Sequence, residues 1–498
     1  MMQLARKLIR PVDDLLNAIT MYRLVLYGLI VLVIAGVGLS YTHVLRLSGT
    51  GLLVSLAILV PGCYLAHKFM AWMWDAATNT ESWLITALIL CCILPPATTL
   101  ARGLAVLLAG ILAIASKYMV AWRGKHIFNP AAFGAVVVGL FGLVNATWWV
   151  GNKYMLPFTL VLGLLVIRKM RRFQLVTVFA LVTIAEMLII GVHHGRAAQE
   201  IITQSVSAWP SVFFASIMLT EPATMPPKRG PRLVFGVLVA VLYAAQLRLG
   251  PLFTTPEVAL VAGNIFAFLV SPKYKLRLRL LEKHQLSANV YDFVFTPSVR
   301  SFHFEPGQYM EWTLPHRHTD GRGNRRTFTI ASSPTEPEVH IGVKFYQPSS
   351  SFKRTLLAME PGQAITAGQV AGDFVLPKDP SRKLVFVAGG IGITPFRSQL
   401  KYLLDSGQMR DIVLLYLARD ASEVSYQDVL RQAQEEGVQI LFASSPVTAE
   451  QLHASIPDYK ARTFYVSGPN AMVEYYAALL QDAGVGPTHI VTDYFSGY

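Results

Sequence analysis

The stretch KLVFVAGGIGITPFRSQLKYLL, residues Lys383 to Leu404, reads as a buried strand, a glycine-rich turn and a helix in succession. Gly389, Gly390 and Gly392 carry no side chain, so the turn they share with Ile393, Thr394 and Pro395 lets backbone approach a pyrophosphate. The helix N-terminus that follows attracts its charge. Outward from this stretch the pattern alternates. Strands are predicted at 412–418, 439–443, 463–467 and 489–492, and helices at 425–435 and 469–483. Such alternation specifies an α/β doubly wound parallel sheet with helices on both faces. VSGPNAM, Val466 to Met472, is a second strand-to-helix turn facing the first, and it contributes Ser467, Gly468, Pro469 and Met472.

Upstream, FEPGQYMEWTL (Phe304–Leu314), RRTFTIASSP (Arg325–Pro334) and VHIGVKFY are short strands. SSSFKRTLLAMEPGQAI opens a helix on Ser349, Ser350 and Ser351. Short strands with one capped helix predict a small antiparallel β-barrel. Arg326 suits a flavin phosphate, Phe328 the flavin face and Thr329 a hydrogen bond to its ring. Ser350 and Ser351, at a helix start, suit the pyrophosphate, with Thr327, Lys344 and Phe352 counted in the same site. The chain ends in DYFSGY, which offers Tyr494, Phe495 and Tyr498 to cover the isoalloxazine. Singly, each residue also suits a buried ion pair, a core aromatic or an ordinary cap. Their order favours the cofactor. Arg419, after the second strand of the parallel sheet, suits a 2′-phosphate, whereas Asp420 and Glu423 oppose one, so NADH and NADPH both stay open.

Residues 274–498 closely resemble the ferredoxin–NADP reductase family. The matching motifs are R-x-[FY]-[ST]-x-x-S at Arg326–Ser332, G-G-x-G-[IL]-T-P at Gly389–Pro395 and S-G-P-x-x-M at Ser467–Met472. The resemblance implies FAD on the barrel, NAD(P)H on the parallel sheet, and hydride transfer to flavin N5 with Thr329, Ser467 and Tyr498 at the reacting groups. Family members often carry Cys where this chain has Ser467.

The other half differs in kind. Only 15% of the chain is charged and 53% is hydrophobic, against about 25% charged in soluble proteins, and the apolar excess lies before Val270. Ten spans are predicted, near 24–45, 51–71, 83–99, 102–118, 131–150, 154–168, 175–192, 209–222, 232–248 and 256–271. The N-terminal MMQLARKLIRPVDDLLNAI lacks a signal-peptide h-region and reads as an amphipathic segment on the membrane. Lys and Arg cluster in alternate loops, at 6–23, 117–125, 168–172 and 228–232. The positive-inside rule puts these loops, and the second half, in the cytoplasm. The net charge of +13 is explained by those loops without nucleic acid. Cys63, Cys91 and Cys92 all lie in apolar runs, which excludes a four-cysteine iron–sulfur cluster and a disulfide framework. No metal site is expected.

Two apolar runs end alike: ILPPATTL (Ile93–Leu100) and LTEPATMP (Leu219–Pro226). Proline frees backbone groups in a helix, and the two breaks fall five spans apart. An odd repeat inverts its second copy, so spans 1–5 and 6–10 read as a 5+5 inverted repeat with a broken third helix in each half. Such folds bind ligands between the repeats near the midplane. Candidate ligand residues are Pro96, Thr98, Glu221, Pro222 and Thr224. Asn129, in KHIFNPAAFG, suits a helix cap and a ligand contact equally. Glu186 is a further ionisable group within a span.

The ten spans, FNPAAFG and LTEPATMP resemble the flavin-bearing membrane subunits of Rnf complexes and Na⁺-pumping NADH:quinone oxidoreductases (the NqrB/RnfD family), over roughly 20–272. The resemblance implies a flavin between the repeats. Relatives attach FMN to a threonine of a Ser-Gly-Ala-Thr type motif that this sequence lacks, so a non-covalent FMN or riboflavin is expected.

The domains expected are an N-terminal segment at 1–22, a transmembrane domain at 23–272, an FAD-binding barrel at 273–378 and an NAD(P)-binding domain at 379–498. The function expected is that of an integral protein of the bacterial inner membrane. It would pass electrons from cytoplasmic NAD(P)H through FAD and the second flavin to a quinone or extracytoplasmic acceptor. The sequence leaves open ion coupling, partner subunits and homo-oligomerisation. Two alternatives stand beside it. One is a haem-containing transmembrane reductase of the ferric reductase or NADPH oxidase kind, for which His43, His67, His126, His193 and His194 do not form two spaced pairs. The other is a solute or cation transporter regulated by its reductase domain.

Overall fold

The apolar runs of the first half fold as helices, which satisfy their own backbone polar groups. In the computed structural model they are α1 (Met21–Tyr41), α2 (Gly49–Met73), α3 (Ser82–Ile93), α4 (Leu100–Met119), α5 (Pro130–Leu140), α6 (Leu156–Met170), α7 (Phe173–His193), α8 (Ala198–Ser207), α9 (Ser211–Phe213, continued by a π turn over Phe214–Met218), α10 (Arg229–Ala245) and α11 (Pro256–Val270). The structure describes residues 11–495 except 14, 17–18, 75–80, 123–124, 208–209, 246–247, 250–251, 272–274, 299–301 and 321. Most of the predicted 1–22 segment therefore lies outside the described residues; within it, Asp13 pairs with Arg168 on α6 at 2.6 Å. The chain divides into two compact units, Met1–Lys273 and Tyr274–Tyr498.

Four helices, α1, α2, α4 and α7, are long and apolar enough to cross a membrane. Large apolar side chains such as Ile34, Leu65, Trp72, Leu181 and Ile189 are exposed on this unit.

Several elements depart from the predicted spans, each for a local reason. The third run ends at Ile93, because Pro95 and Pro96 cannot continue a helix. The carbonyls so freed are taken up from the fifth segment, which is helical only to Leu140 rather than to 150. Beyond it, the Thr147 and Trp148 backbones donate to the Ile93 carbonyl at 2.8 and 2.9 Å, and Trp149 Nε1 donates to the Cys91 carbonyl at 2.7 Å. Ser55 Oγ on α2 accepts from Ala97 N at 2.9 Å. The eighth run, predicted at 209–222, is α9 and a π turn. Such turns recur at functional sites. The amphipathic α8 was not anticipated.

The helix packing repeats. Within the first five helices, α1 packs on α2 and α3, α2 on α4, and α4 on α5. Within the second set, α6 packs on α7 and α9, α7 on α10, and α10 on α11. The sets join through α1 on α6 and α5 on α11.

The second unit contains two sheets. The first is antiparallel: β1 (Lys275–Ser287), β2 (Val290–Pro297), β3 (Tyr309–Thr313), β4 (Arg325–Thr329), β5 (Val339–Lys344) and, after α12 (Ser351–Ala358), β6 (Ala364–Ala371). The order is β4-β3-β6-β1-β2-β5. Its end strands approach each other where Ala331 N, just past β4, donates to the His340 carbonyl of β5 at 2.8 Å. Alternate strand residues point inward, and Phe293, Phe295, Met310, Trp312 and Ile341 build a core together with Phe352 of α12.

The second sheet is parallel: β7 (Leu384–Gly389), β8 (Ile412–Leu417), β9 (Gln439–Ala443), β10 (Thr463–Pro469) and β11 (Ile490–Phe495). The helices between are α13 (Thr394–Ser406), α14 (Gln427–Glu435), α15 (Ala449–Ser455) and α16 (Asn470–Asp482). The order is β9-β8-β7-β10-β11. Strand order therefore reverses between β7 and β10, and doubly wound sheets bind ligands in the crevice at the carboxyl ends of that pair.

Candidate functional site

Both glycine-bearing turns lie at this switch point. A Cβ on Gly392 would stand 2.3 Å from the Ser467 carbonyl oxygen and 2.7 Å from Gly468 Cα. One on Gly389 would stand 2.3 Å from Met472 Sδ. The turns after β7 and β10 therefore meet backbone to backbone, and only glycine permits it. Gly390 has φ +52°, in the left-handed region that glycine adopts freely. Ile393, Thr394 and Pro395 are buried, with Thr394 Oγ1 donating to the Ile391 carbonyl at 3.2 Å. Ser467 is fully buried, and its hydroxyl has no hydrogen-bond partner among the described residues. A buried hydroxyl without a partner is costly. Pro469 and Arg419 are exposed. The Asp420 carboxylate, next to Arg419, accepts from Ser422 N at 2.8 Å.

At the antiparallel sheet, Arg326 on β4 is buried. Its guanidinium carbon stands 5.3 Å from the Phe352 ring centroid, and its Nη1 donates to the Arg322 carbonyl at 2.7 Å. Phe328, half-buried, lies 6.0 Å from Phe352; Thr329 is buried and Thr327 exposed. Ser350 is the N-cap of α12, its Oγ accepting from Lys353 N at 3.3 Å. Ser351 already has partners. Its backbone N–H donates to Asp320 Oδ2 at 2.7 Å, and its Oγ lies 2.9 Å from His316 Nε2. A carboxylate thus occupies the helix start that the sequence assigns to a pyrophosphate. Lys344 contributes its backbone carbonyl, which accepts from Lys353 Nζ at 2.9 Å.

The charges show what this cradle prefers. Burial pushes the Asp320 carboxyl up, but hydrogen bonds from the Ser351 and Arg322 amides, with the Arg322 and Arg326 charges, outweigh it and hold the group below its ordinary range. Burial, reinforced by Arg326 and Arg322, pushes the Lys353 ammonium down to about 8. Positive charge is in excess around one carboxylate, and this donor set fits an added anion. Tyr498 and the side chain of Phe495 lie outside the described residues.

In the helical unit the structure joins Asn129, Glu221 and Thr224. Asn129 caps α5 through Oδ1, 3.0 Å from Ala132 N, while its Nδ2 donates to Glu221 Oε2 at 2.7 Å. Thr224 Oγ1 donates to the same oxygen at 3.1 Å. Two further residues belong here. Asn264 of α11 accepts from Asn129 N at 2.8 Å and donates to the Thr224 carbonyl at 3.0 Å. His126 Nε2 stands 3.9 Å from Glu221 Oε1. Asn264 is the one amide in the run 256–270, which also carries Glu257, and a polar group within such a run was its signal. Pro222 lies in the same loop. Pro96 and Thr98 border a different place, packing toward Gly51 of α2, with Thr98 Oγ1 accepting from Arg102 Nη1 at 2.9 Å. Glu186, on α7, takes no part in this network among the described residues.

Residues 386–478 match the oxidoreductase NAD-binding domain model. The C-terminal unit is an NAD-binding oxidoreductase module. It is similar to ferredoxin reductase-like proteins. One relative is the reductase subunit of stachydrine N-demethylase from Rhizobium meliloti, 35% identical over 142 residues, covering 28% of this chain and 39% of the relative. Another is a flavohemoprotein from Halalkalibacterium halodurans, 24% identical over 242 residues, covering 43% and 58%. The chain thus spans well under two thirds of the length of either relative. Among solved structures, the FAD/NAD-binding domain of a nitric oxide dioxygenase from Vibrio cholerae is 22% identical, with a TM-score of 0.39, covering 44% of this chain and 98% of that one.

Proposed function

We propose that this chain is an integral membrane flavoprotein oxidoreductase. It oxidises cytoplasmic NAD(P)H and delivers the electrons, by way of FAD and a non-covalent membrane flavin (FMN or riboflavin), to a quinone or an extracytoplasmic acceptor. The observation that carries this proposal is one polypeptide holding a switch-point crevice, a cationic cradle, and a helical unit with repeated packing and a half-buried polar cluster. The flavins, when bound, would supply hydride acceptance and single-electron release.

The protein residues supply the rest. The turn at Gly389–Thr394 and the N-terminus of α13 receive the nucleotide pyrophosphate, and the Ser467 hydroxyl orients the nicotinamide. Arg326 and Lys353 hold the FAD pyrophosphate on a six-stranded barrel, with Phe328 and Thr329 at its ring. Asn129, Thr224 and Asn264 hold Glu221 in place, and Glu221 Oε1 is the acceptor that a flavin's pyrimidine N–H needs. The spans are α1–α7 and α9–α11, and five per half makes the second half inverted. The repeated packing supports this 5+5 arrangement, and the basic loops support a cytoplasmic reductase module. His67, the one buried histidine of the helical unit among the described residues, lies with Nδ1 2.9 Å from Tyr118 Oη, which favours flavin over a bis-histidine haem.

Denaturing extraction of the purified protein followed by flavin chromatography tests the proposal. FAD and a second, released flavin are the expected products. FAD alone would refute the membrane flavin, and flavin left on the polypeptide would refute its non-covalent attachment.

Lys353 gives a pH test. The protonated ammonium favours an anion, and without FAD its proton is lost as pH rises through about 8. FAD affinity is therefore expected to be flat below pH 8. Above it, affinity falls by at most about tenfold per pH unit until the higher pKa of the bound state is passed. Fluorescence titration of Lys353→Met is expected to show weaker binding without that slope.

A further inference from the structure

A buried polar chain ties the two sheets of the reductase unit together at the glycine turn. Tyr426, at the start of α14, is buried with φ +59°. A bulky residue is rarely found in this left-handed region and costs energy there, so the surroundings must hold it. Its hydroxyl donates to Asp292 Oδ1 of β2 at 2.9 Å, and Asp292 Oδ2 lies 2.8 Å from His340 Nδ1 of β5. Arg397 of α13 lies against the Tyr426 ring, its guanidinium carbon 5.7 Å from the centroid. It also pairs with Glu336 beyond β4, Nη2 to Oε1 at 2.7 Å.

The same chain reaches the turn itself. Ser425 N donates to Tyr416 Oη at 3.2 Å, and that hydroxyl donates to the Gly390 carbonyl at 3.2 Å. Gly342 of β5, paired with Asp292, marks the junction. A Cβ there would meet Tyr426 Oη at 2.6 Å, Thr394 Cγ2 at 2.7 Å and Ile391 Cδ1 at 3.0 Å. One strand of the antiparallel sheet is thus bare of side chain where the tyrosine and the pyrophosphate turn both press against it.

We infer that Tyr426 is a positioning residue: through Asp292 and Gly342 it fixes the glycine turn, and the nicotinamide it carries, against the flavin-bearing sheet. The inference rests on the proposed hydride transfer, whose rate is steeply sensitive to placement on the scale of 1 Å. Tyr426→Phe removes only the hydroxyl and keeps the ring against Arg397.

In the full-length protein with both flavins bound, stopped-flow reduction of FAD by NAD(P)H is expected to slow about tenfold, with the Michaelis constant changed less than about twofold. In the protein without nucleotide, amide hydrogen exchange of the 389–395 peptide is expected to quicken. Asp292→Asn keeps an acceptor oxygen for the tyrosine and is expected to fall between wild type and Asp292→Ala in both readouts. Wild-type rate and wild-type exchange in Tyr426→Phe would overturn the inference, as would a changed Michaelis constant with an unchanged rate. A wild-type protein that reduces no FAD would instead refute the proposed function, while the exchange readout would still judge the tyrosine.

Discussion

Gly392→Ala is expected to lower kcat/KM for NAD(P)H oxidation by about two orders of magnitude while leaving FAD bound, because the added methyl displaces the nucleotide turn. That methyl would stand 2.3 Å from the Ser467 carbonyl oxygen, 2.6 Å from its carbon and 2.7 Å from Gly468 Cα. All three are backbone atoms at the end of β10, the strand paired with β7, so no side chain can rotate out of the way. The two turns must separate, and both the pyrophosphate seat and the Ser467 hydroxyl go with them. Gly390→Ala is the control. Nothing lies within 4 Å of a Cβ there, and its φ of +52° costs alanine about 1 kcal/mol, so a loss below about tenfold is expected. Steady-state kinetics with flavin quantitation separates the two. Equal effects would show that close approach of the turns is not what the glycine serves.

Glu221→Ala is the second large effect, and it acts in the other unit. Removing the carboxylate strands the Asn129 amide and the Thr224 hydroxyl, which both donate to Oε2. Each abandoned buried donor costs about 1–3 kcal/mol. The loop at 221–225 should therefore lose its hold on α5. On the proposed function, loss of the membrane flavin and a fall of about a hundredfold in quinone reduction are expected, since two such losses add to a few kcal/mol. Reduction of ferricyanide, which can draw electrons from the reductase module directly, is expected to stay near wild type. Glu221→Gln keeps an acceptor oxygen and is expected to retain most of the flavin. Flavin retained in full by Glu221→Ala would remove this cluster from the site.

Much of the reductase unit was legible because its signals are local. A strand, a glycine turn and a helix sit within Lys383–Leu404, and the alternation that follows locates β8 to β11 within a few residues. The two breaks at Pro-Ala-Thr were equally plain, since proline acts on its own turn. What stayed hidden depends on distant partners. Tyr426 and Asp292 lie 134 positions apart, and nothing near either marks the pairing. The span predicted to reach residue 150 stops at Leu140, because residues 147–149 serve the end of α3, and only the fold reveals that debt. Ser351 illustrates a third limit. Its place at a helix start was readable, but not the Asp320 carboxylate already seated there.

The pairing of α1 with α6 and of α5 with α11 has a consequence for symmetry. First meeting first and last meeting last is the contact scheme of a two-fold dimer, here contained in one chain. A true dyad would make the two faces of the bundle equivalent. The side chains deny this: Pro95 stands in the first half where Glu221 stands in the second, and beside the first break the acid is instead Glu257 of α11, which accepts from Trp148 Nε1 at 2.9 Å. The two halves therefore share one packing plan and differ in the polar groups that meet at their breaks.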